Sequence, residues 1–433
     1  MRKYELSEVY GLSRDVPVNY VERNSVDNKL RENLTRKKHI TIFGSSKQGK
    51  TCLRKHCLNE NDYILVQCSN RWTLADLNAN ILKRAGFELT ESTTKTASGK
   101  AKILATLKMA FISLNSEIEE SDGKTTTYRP LELDVEDAND IIFALDSISF
   151  KKYIVLEDFH YLRSETQRDF AIELKAFHES ADLCFIIVGV WLDENKLVIY
   201  NGDLTGRIIP INADLWGKED LTKVVEAGAN LLNVSFSDAF VEALLEACSG
   251  NVYIVQEACY RVCRDLGITD TQEQKTQVGY KESAAELVRE IIQEQSGRYN
   301  SFITQYANGF QDTTLEMHKW LLYPVLTSSI GDLSRGLKYR TIRTCLEGVH
   351  PSGRRLNPGN VTQALKAVSS LQITKSIQPI IFDYDESNST LHVVDKGFLI
   401  WLNMQNRNDL LELAGLPSFS ENLTEQMTIP AME

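Results

Sequence analysis

Ile40-Thr41-Ile42-Phe43-Gly44-Ser45-Ser46-Lys47-Gln48-Gly49-Lys50-Thr51 is the stretch on which the fold turns. A short apolar run leads into a loop of the form G-x-x-x-x-G-K-[ST], and a helix-compatible segment from Thr51 to Leu58 follows. Strand, glycine loop and helix is the order that phosphate chemistry needs. The glycines let main-chain N–H groups turn inward, and the helix N-terminus adds the positive end of its dipole. Lys50 is expected to reach the β- and γ-phosphates of a bound nucleotide, and the Thr51 hydroxyl to ligate Mg²⁺. Gly44, Ser45, Ser46, Lys47, Gln48, Gly49 and Cys52 complete the expected contact set for ATP.

Outward from this loop, near-continuous apolar runs alternate with helical patterns. Strands are predicted at 63–68, 153–156, 184–189 and 208–211, and helices at 73–85, 134–145 and 164–180. Runs apolar on both faces suit a parallel sheet covered on both sides, so the fold class is a doubly wound α/β core. Val26, Leu30 and Leu34 recur every four residues, as on a helix face. Residues 91–100 read as a loop and 101–110 as a helix. Period-two alternation at 111–118, a turn at Asp122-Gly123 and a return through 133 predict a β-hairpin insertion over 111–133. The core is thereby assigned to 1–216. From 217 to 306 the spacing is helical throughout, as in a small α-helical lid. From 307 to 416, helices precede two strands at 380–384 and 390–394, the order of a winged helix. Residues 417–433 form a polar tail.

Composition narrows the classes. Of 433 residues, 42% are apolar and 25% charged, an ordinary balance for a folded chain. The net charge of −11 excludes a surface built as a whole for nucleic acid or anionic lipid. No apolar run is long enough to span a membrane, and the N-terminus has no apolar leader, so a cytoplasmic location is expected. Eight cysteines without any C-x-x-C pair fit a reducing compartment and argue against zinc.

A second constellation is Tyr153-Ile154-Val155-Leu156-Glu157-Asp158-Phe159-His160. Four apolar residues deliver two carboxylates to the C-terminal end of a core strand. Beside a phosphate loop, one carboxylate is expected to hold Mg²⁺ and the other to orient the attacking water. His160 follows closely, as a phosphate or partner contact or as a packing residue under the next helix.

With these two motifs the chain resembles the AAA+ ATPases and the signal-transducing STAND NTPases, in particular bacterial members with an origin-recognition-like layout of ATPase core, helical lid and winged helix. The resemblance implies that Glu157 takes the metal role and Asp158 the water role, although the Glu-Asp order departs from both families. An aspartate is one methylene shorter than glutamate, which implies slow hydrolysis. Arg23 resembles the arginine that precedes the first strand and lies near the base. Arg207, before the last strand, resembles the arginine that reaches the γ-phosphate of a neighbouring subunit. The positions of the two polar sensors carry no matching residue: Gly189-Val190-Trp191 ends the fourth strand, and Ser249-Gly250-Asn251 opens a lid helix without the arginine.

Residues 331–379 carry a net charge of +6 on this acidic chain. Arg354, Arg355 and Lys366, with Asn360, Thr362 and Gln363 on a helix opened by Pro358, make a candidate DNA contact. Two functions therefore stand. One is an ATP-binding, slowly hydrolysing switch that self-associates and controls a separate effector or client protein; the resemblance places such switches in anti-phage defence, among other settings. The alternative is a DNA-loading or helper ATPase of the initiator or transposition type. A GTPase is disfavoured by the absence of N-K-x-D after the fourth strand.

Overall fold

A computed structural model describes residues 2–12, 15–95, 101–107, 130–311 and 313–419. The chain divides into two units. One comprises Glu22–Gly44 and Gly49–Leu215; the other comprises Met1–Val21, Ser45–Gln48 and Trp216–Glu433.

Among its described residues the first of these holds eight strands: β1 (His39–Phe43), β2 (Tyr63–Gln67), β3 (Phe87–Lys95), β4 (Ala101–Leu107), β5 (Leu131–Leu133), β6 (Tyr153–Glu157), β7 (Phe185–Val188) and β8 (Ile208–Asn212). Five form one sheet in the order β2-β6-β7-β1-β8, parallel throughout. Its central strands β1 and β7 are buried along their whole length, because helices cover both faces. The helix Leu74–Ala85 starts on a Thr73–Asp76 capping box and stops at Gly86, whose φ of 111° is left-handed. His39 pins β1 to its surroundings. Its Nδ1 accepts from the Phe185 N–H at 3.2 Å, so its Nε2 carries the proton and donates to the Leu174 carbonyl at 2.9 Å.

Two local expectations fail here. Residues 101–107 are a strand, not a helix, and 91–95 extend β3 rather than forming a loop. β3, β4 and β5 make a separate antiparallel sheet in the order β3-β4-β5. The sequence Ala101-Lys102-Ile103-Leu104-Ala105-Thr106-Leu107 has good helix formers, but cross-strand pairing outweighs that weak preference. The hairpin expected over 111–133 lies, apart from residues 130–133, outside the described residues.

The other unit contains the helices Lys218–Leu232, Asp238–Ala247, Val252–Asp265, Ala284–Gln293 and Ser296–Ala307 and a short parallel pair, β9 (Val234–Phe236) with β10 (Thr276–Val278). The N-terminal segment packs on these helices. Leu6, Val9 and Tyr10 are buried among them, and the Tyr10 hydroxyl donates to the Val225 carbonyl at 2.6 Å. Gly228 makes room for that ring, since a Cβ there would stand 2.3 Å from it.

In the same unit the helices Met317–Thr327, Tyr339–Val349 and Pro358–Lys366 combine with β11 (Leu337–Lys338), β12 (Phe382–Asp385) and β13 (Thr390–Val393), antiparallel in the order β11-β13-β12. Helices followed by a three-stranded sheet with a β12–β13 wing is a winged helix. Asn357 caps the helix that Pro358 opens. Gln372 is fully buried and fully used: it accepts from the Ile381 and Phe382 N–H groups and donates to the Val368 and Phe382 carbonyls.

Candidate functional site

The parallel sheet brings its C-terminal strand ends to one edge, and the phosphate-loop motif leaves from β1 there. Gly44 (φ 144°) and Gly49 (φ 78°) both occupy conformations that favour glycine, and helix Lys50–Cys57 begins directly after Gly49. A Cβ on Gly44 would meet the Asp214 carboxylate at 2.7 Å. Lys50 is buried and donates to the Gly44 carbonyl at 3.0 Å. Burial pulls its ammonium down to about 8, against the pull of Asp214, Glu157 and Asp158. Its ammonium is held by the Gly44 carbonyl, in the field of three carboxylates.

Thr51 and Glu157 meet. The Thr51 hydroxyl donates to Glu157 Oε1 at 2.7 Å, across a separation of 106 residues. The other carboxylate oxygen, Oε2, accepts from Arg54 Nε at 3.0 Å. Asp158 stands at the start of the turn with a left-handed φ of 57°. Its carboxylate accepts from Gln67 Nε2 at the end of the adjacent strand β2. Burial, then the neighbouring Glu157, raises its carboxyl above the usual range. His160 is buried, and neither ring nitrogen has a hydrogen-bond partner among the described residues. Burial, with Lys50 and Lys196 near, keeps it neutral.

The loop tip Ser45–Gln48 belongs to the unit with the lid helices and the winged helix. There the Ser46 N–H donates to the Val394 carbonyl at 2.9 Å. Lys47, with φ at 61°, lays its ammonium 3.9 Å from the Tyr253 ring centroid, a cation–π contact. Tyr253 lies in the first turn of the lid helix capped by Asn251. The Gln48 carbonyl accepts from Trp216 Nε1 at 3.3 Å, while its buried side-chain amide has no partner among the described residues. Cys52 is half-buried, and burial raises its thiol.

Other expected site residues lie elsewhere. Arg23 is buried and committed to the Ala213 carbonyl at 2.7 Å and to Asp27 at 4.0 Å. Arg207 is partly exposed; it pairs with Glu179 at 2.6 Å and donates to the Asp203 carbonyl. Behind β7 the sensor position is filled by an indole: a Cβ on Gly189 would stand 1.8 Å from the Trp191 ring.

The basic segment is less free than its charge suggests. Arg335 pairs with Asp332, Arg343 with Glu347, and Lys366 with Glu386 in the wing. The Thr362 hydroxyl donates to the Pro358 carbonyl. Asn360 and Gln363 line a cleft of about 830 Å³ with residues of 304–319 and 412–415. Arg340, Arg354 and Arg355 are exposed and make no ion pair among the described residues.

Arg54, Gln67 and Asp214 escaped the sequence reading. Arg54 sits three residues after Thr51, a spacing that puts both on one helix face. Gln67 and Asp214 lie at or just past the ends of parallel strands, which only the strand order brings to the motif.

No group of three or more His, Cys, Asp or Glu residues able to hold a metal occurs among the described residues. One hydroxyl beside one carboxylate still fits Mg²⁺, which keeps waters and binds mainly through a nucleotide's phosphates. No helix among the described residues is long and apolar enough to cross a membrane.

No protein-family model and no curated protein sequence matches the chain. Among solved structures it is similar to a Walker-type ATPase of Pyrococcus abyssi, at a TM-score of 0.51 and 14% identity, over 92% of this chain and 100% of that one. It is also similar to the ORC1 protein of Aeropyrum pernix, solved with DNA, at a TM-score of 0.45 and 12% identity, over 95% and 97% of the two chains. A variant of RuvB from Thermotoga maritima gives 0.35 and 10%, over 87% and 94%. At such identities the likeness is one of fold. That fold is a parallel α/β core built around a phosphate-loop motif and accompanied by a helical lid and a winged helix.

Proposed function

We propose that the protein is an ATP-binding, slowly hydrolysing switch of the AAA+ or STAND type that self-associates and controls a partner protein. The observation that carries this reading is the 2.7 Å hydrogen bond from Thr51 to Glu157 at a phosphate-shaped loop. Bound there with the nucleotide, Mg²⁺ would offset phosphate charge and polarise the terminal phosphoryl group. Lys50 then exchanges the Gly44 carbonyl for phosphate oxygens. Asp158 orients the attacking water and draws on its proton. Its tie to Gln67 and its short side chain favour slow turnover.

The loop tip supports the switch half of the reading. The Ser46 amide is one that a phosphate would claim, and it is held by Val394. Lys47 is likewise held by Tyr253. A phosphate that claims the Ser46 amide displaces the Val394 carbonyl from it. Arg207 is the group we assign to a neighbouring copy's γ-phosphate, because its partner Glu179 is exposed enough to exchange.

Mass photometry and calorimetry with ATP, on wild type, Lys50→Ala and Arg207→Ala, test the proposal. Lys50→Ala is expected to lose binding and assembly, and Arg207→Ala to bind but not hydrolyse. Absence of adenine-nucleotide uptake by the wild type refutes it, and turnover faster than about ten per second refutes the slow switch.

Arg340, Arg354 and Arg355, exposed in a winged-helix domain and without an ion pair among the described residues, favour DNA loading as the second reading. DNA-stimulated ATPase that disappears in the Arg354→Glu/Arg355→Glu double variant would select it.

A further inference from the structure

Arg54 has no place in the expected phosphate-loop chemistry, yet it pairs with the proposed metal-binding carboxylate. Its side chain is 2% exposed. Nε donates to Glu157 Oε2 at 3.0 Å, and the guanidinium carbon stands 5.0 Å from the Tyr63 ring centroid. Nη1 is buried and has no partner among the described residues. The two oxygens of Glu157 are thus divided: Oε1 to the Thr51 hydroxyl and Oε2 to Arg54.

A carboxylate so placed does two things at once. Its orientation toward Thr51 is fixed from behind, and much of its negative charge is answered by the paired guanidinium. Little water screens the pair, so the cation's field extends to the hydroxyl side of the carboxylate. A divalent ion arriving at Thr51 meets a nearly neutral Glu157–Arg54 unit, with Lys50 as a further positive charge. Asp158 and Asp214 are the remaining carboxylates that act on Lys50.

We infer that Arg54 is a positioning residue that acts through Glu157 to set the divalent-cation requirement of nucleotide binding, making the Mg²⁺ dependence weaker and later than an unpaired carboxylate would. The inference rests on the proposed ATP–Mg²⁺ reading of the site and goes beyond it in assigning a role to a residue outside the motif.

The test is the binding of a fluorescent ATP analogue titrated with Mg²⁺ from micromolar to ten millimolar. It compares wild type, Arg54→Gln, Arg54→Met and Arg54→Lys, with thermal melts to identify folded variants. Both neutral variants are expected to lower the Mg²⁺ midpoint by roughly tenfold. Arg54→Lys, which keeps the charge, is expected to stay within about twofold of wild type. Mn²⁺ binding followed by electron paramagnetic resonance in the presence of nucleotide should shift in the same order. A purely structural arginine would instead change melting and overall affinity without moving the midpoint. A midpoint unmoved or raised in whichever neutral variant folds overturns the inference alone. A wild type that binds no nucleotide at any Mg²⁺ concentration overturns the site reading, and this inference with it. Should neither neutral variant fold, a midpoint in Arg54→Lys more than about fivefold from wild type overturns it.

Discussion

Glu173 offers the sharpest physical test of the core. It lies on helix Ser164–Ser180, buried, and accepts from Asn78 Nδ2 at 3.3 and 3.0 Å through its two oxygens. Asn78 also donates to the Val135 carbonyl, just past β5, so the carboxyl helps tie the added sheet to the core. Burial pushes the Glu173 carboxyl up to about 8; Asp137, Asp169 and Glu136 push the same way, and only Asn78 opposes. The unfolded chain titrates this group near 4.5. Between these values the folded protein holds a proton that the unfolded chain has released. Stability from Glu173 is therefore complete below about 4.5 and is lost as pH rises through about 8. At about 1.4 kcal/mol per pH unit, the loss reaches roughly 3–5 kcal/mol. Glu173→Gln keeps the shape and stays neutral, so it should not show this loss. Urea denaturation of both proteins from pH 5 to 9 measures it, and their difference cancels other titrating groups such as buried His39, which is lowered to about 4 and acts at the acid end. The expected result is a Glu173→Gln variant that gains about 3–5 kcal/mol relative to wild type between pH 5 and 9. Parallel stability curves would refute the reasoning.

Three further outcomes are expected. Lys50, lowered to about 8 in the free protein, should regain its proton beside phosphate, so nucleotide binding at pH 8.5–9 should take up protons; calorimetry in buffers of different ionisation enthalpy detects this, and proton release would contradict it. Tyr253→Leu removes the ring under Lys47, a contact of about 0.5–2 kcal/mol, and should raise basal ATP turnover several-fold; unchanged or lower turnover would count against a held loop tip. Gly44→Ala combines a left-handed φ with a Cβ against Asp214, so it should cost about 1–3 kcal/mol and abolish nucleotide binding; wild-type melting and affinity would show that the loop tolerates a side chain.

The pieces legible along the chain are those whose signals are local. A glycine-bounded loop between an apolar run and a helix, and a strand ending in Glu157-Asp158, can be read because strand, turn and helix periodicities are set by neighbouring residues. The lid spacing and the helix-then-strand order of the winged helix were legible for the same reason. Residues 101–107 misled because their helix preference is weak and the competing stabilisation comes from β3 and β5, distant in sequence for β5 and invisible to a local pattern. Which side chains share the site is settled by packing instead. Arg54 was in view on its helix, but its role required knowing that Glu157 arrives opposite it. Gln67 and Asp214 entered through the β2-β6-β7-β1-β8 strand order, and Val394 reached the Ser46 amide from the far side of the winged-helix sequence. Arg23 and Arg207 showed the converse: the chain marks where a guanidinium sits, and the fold tells whether Asp27, Ala213 or Glu179 already holds it. Periodicity encodes which face is buried; which partner waits on that face is set by chain crossings that no short stretch of sequence contains.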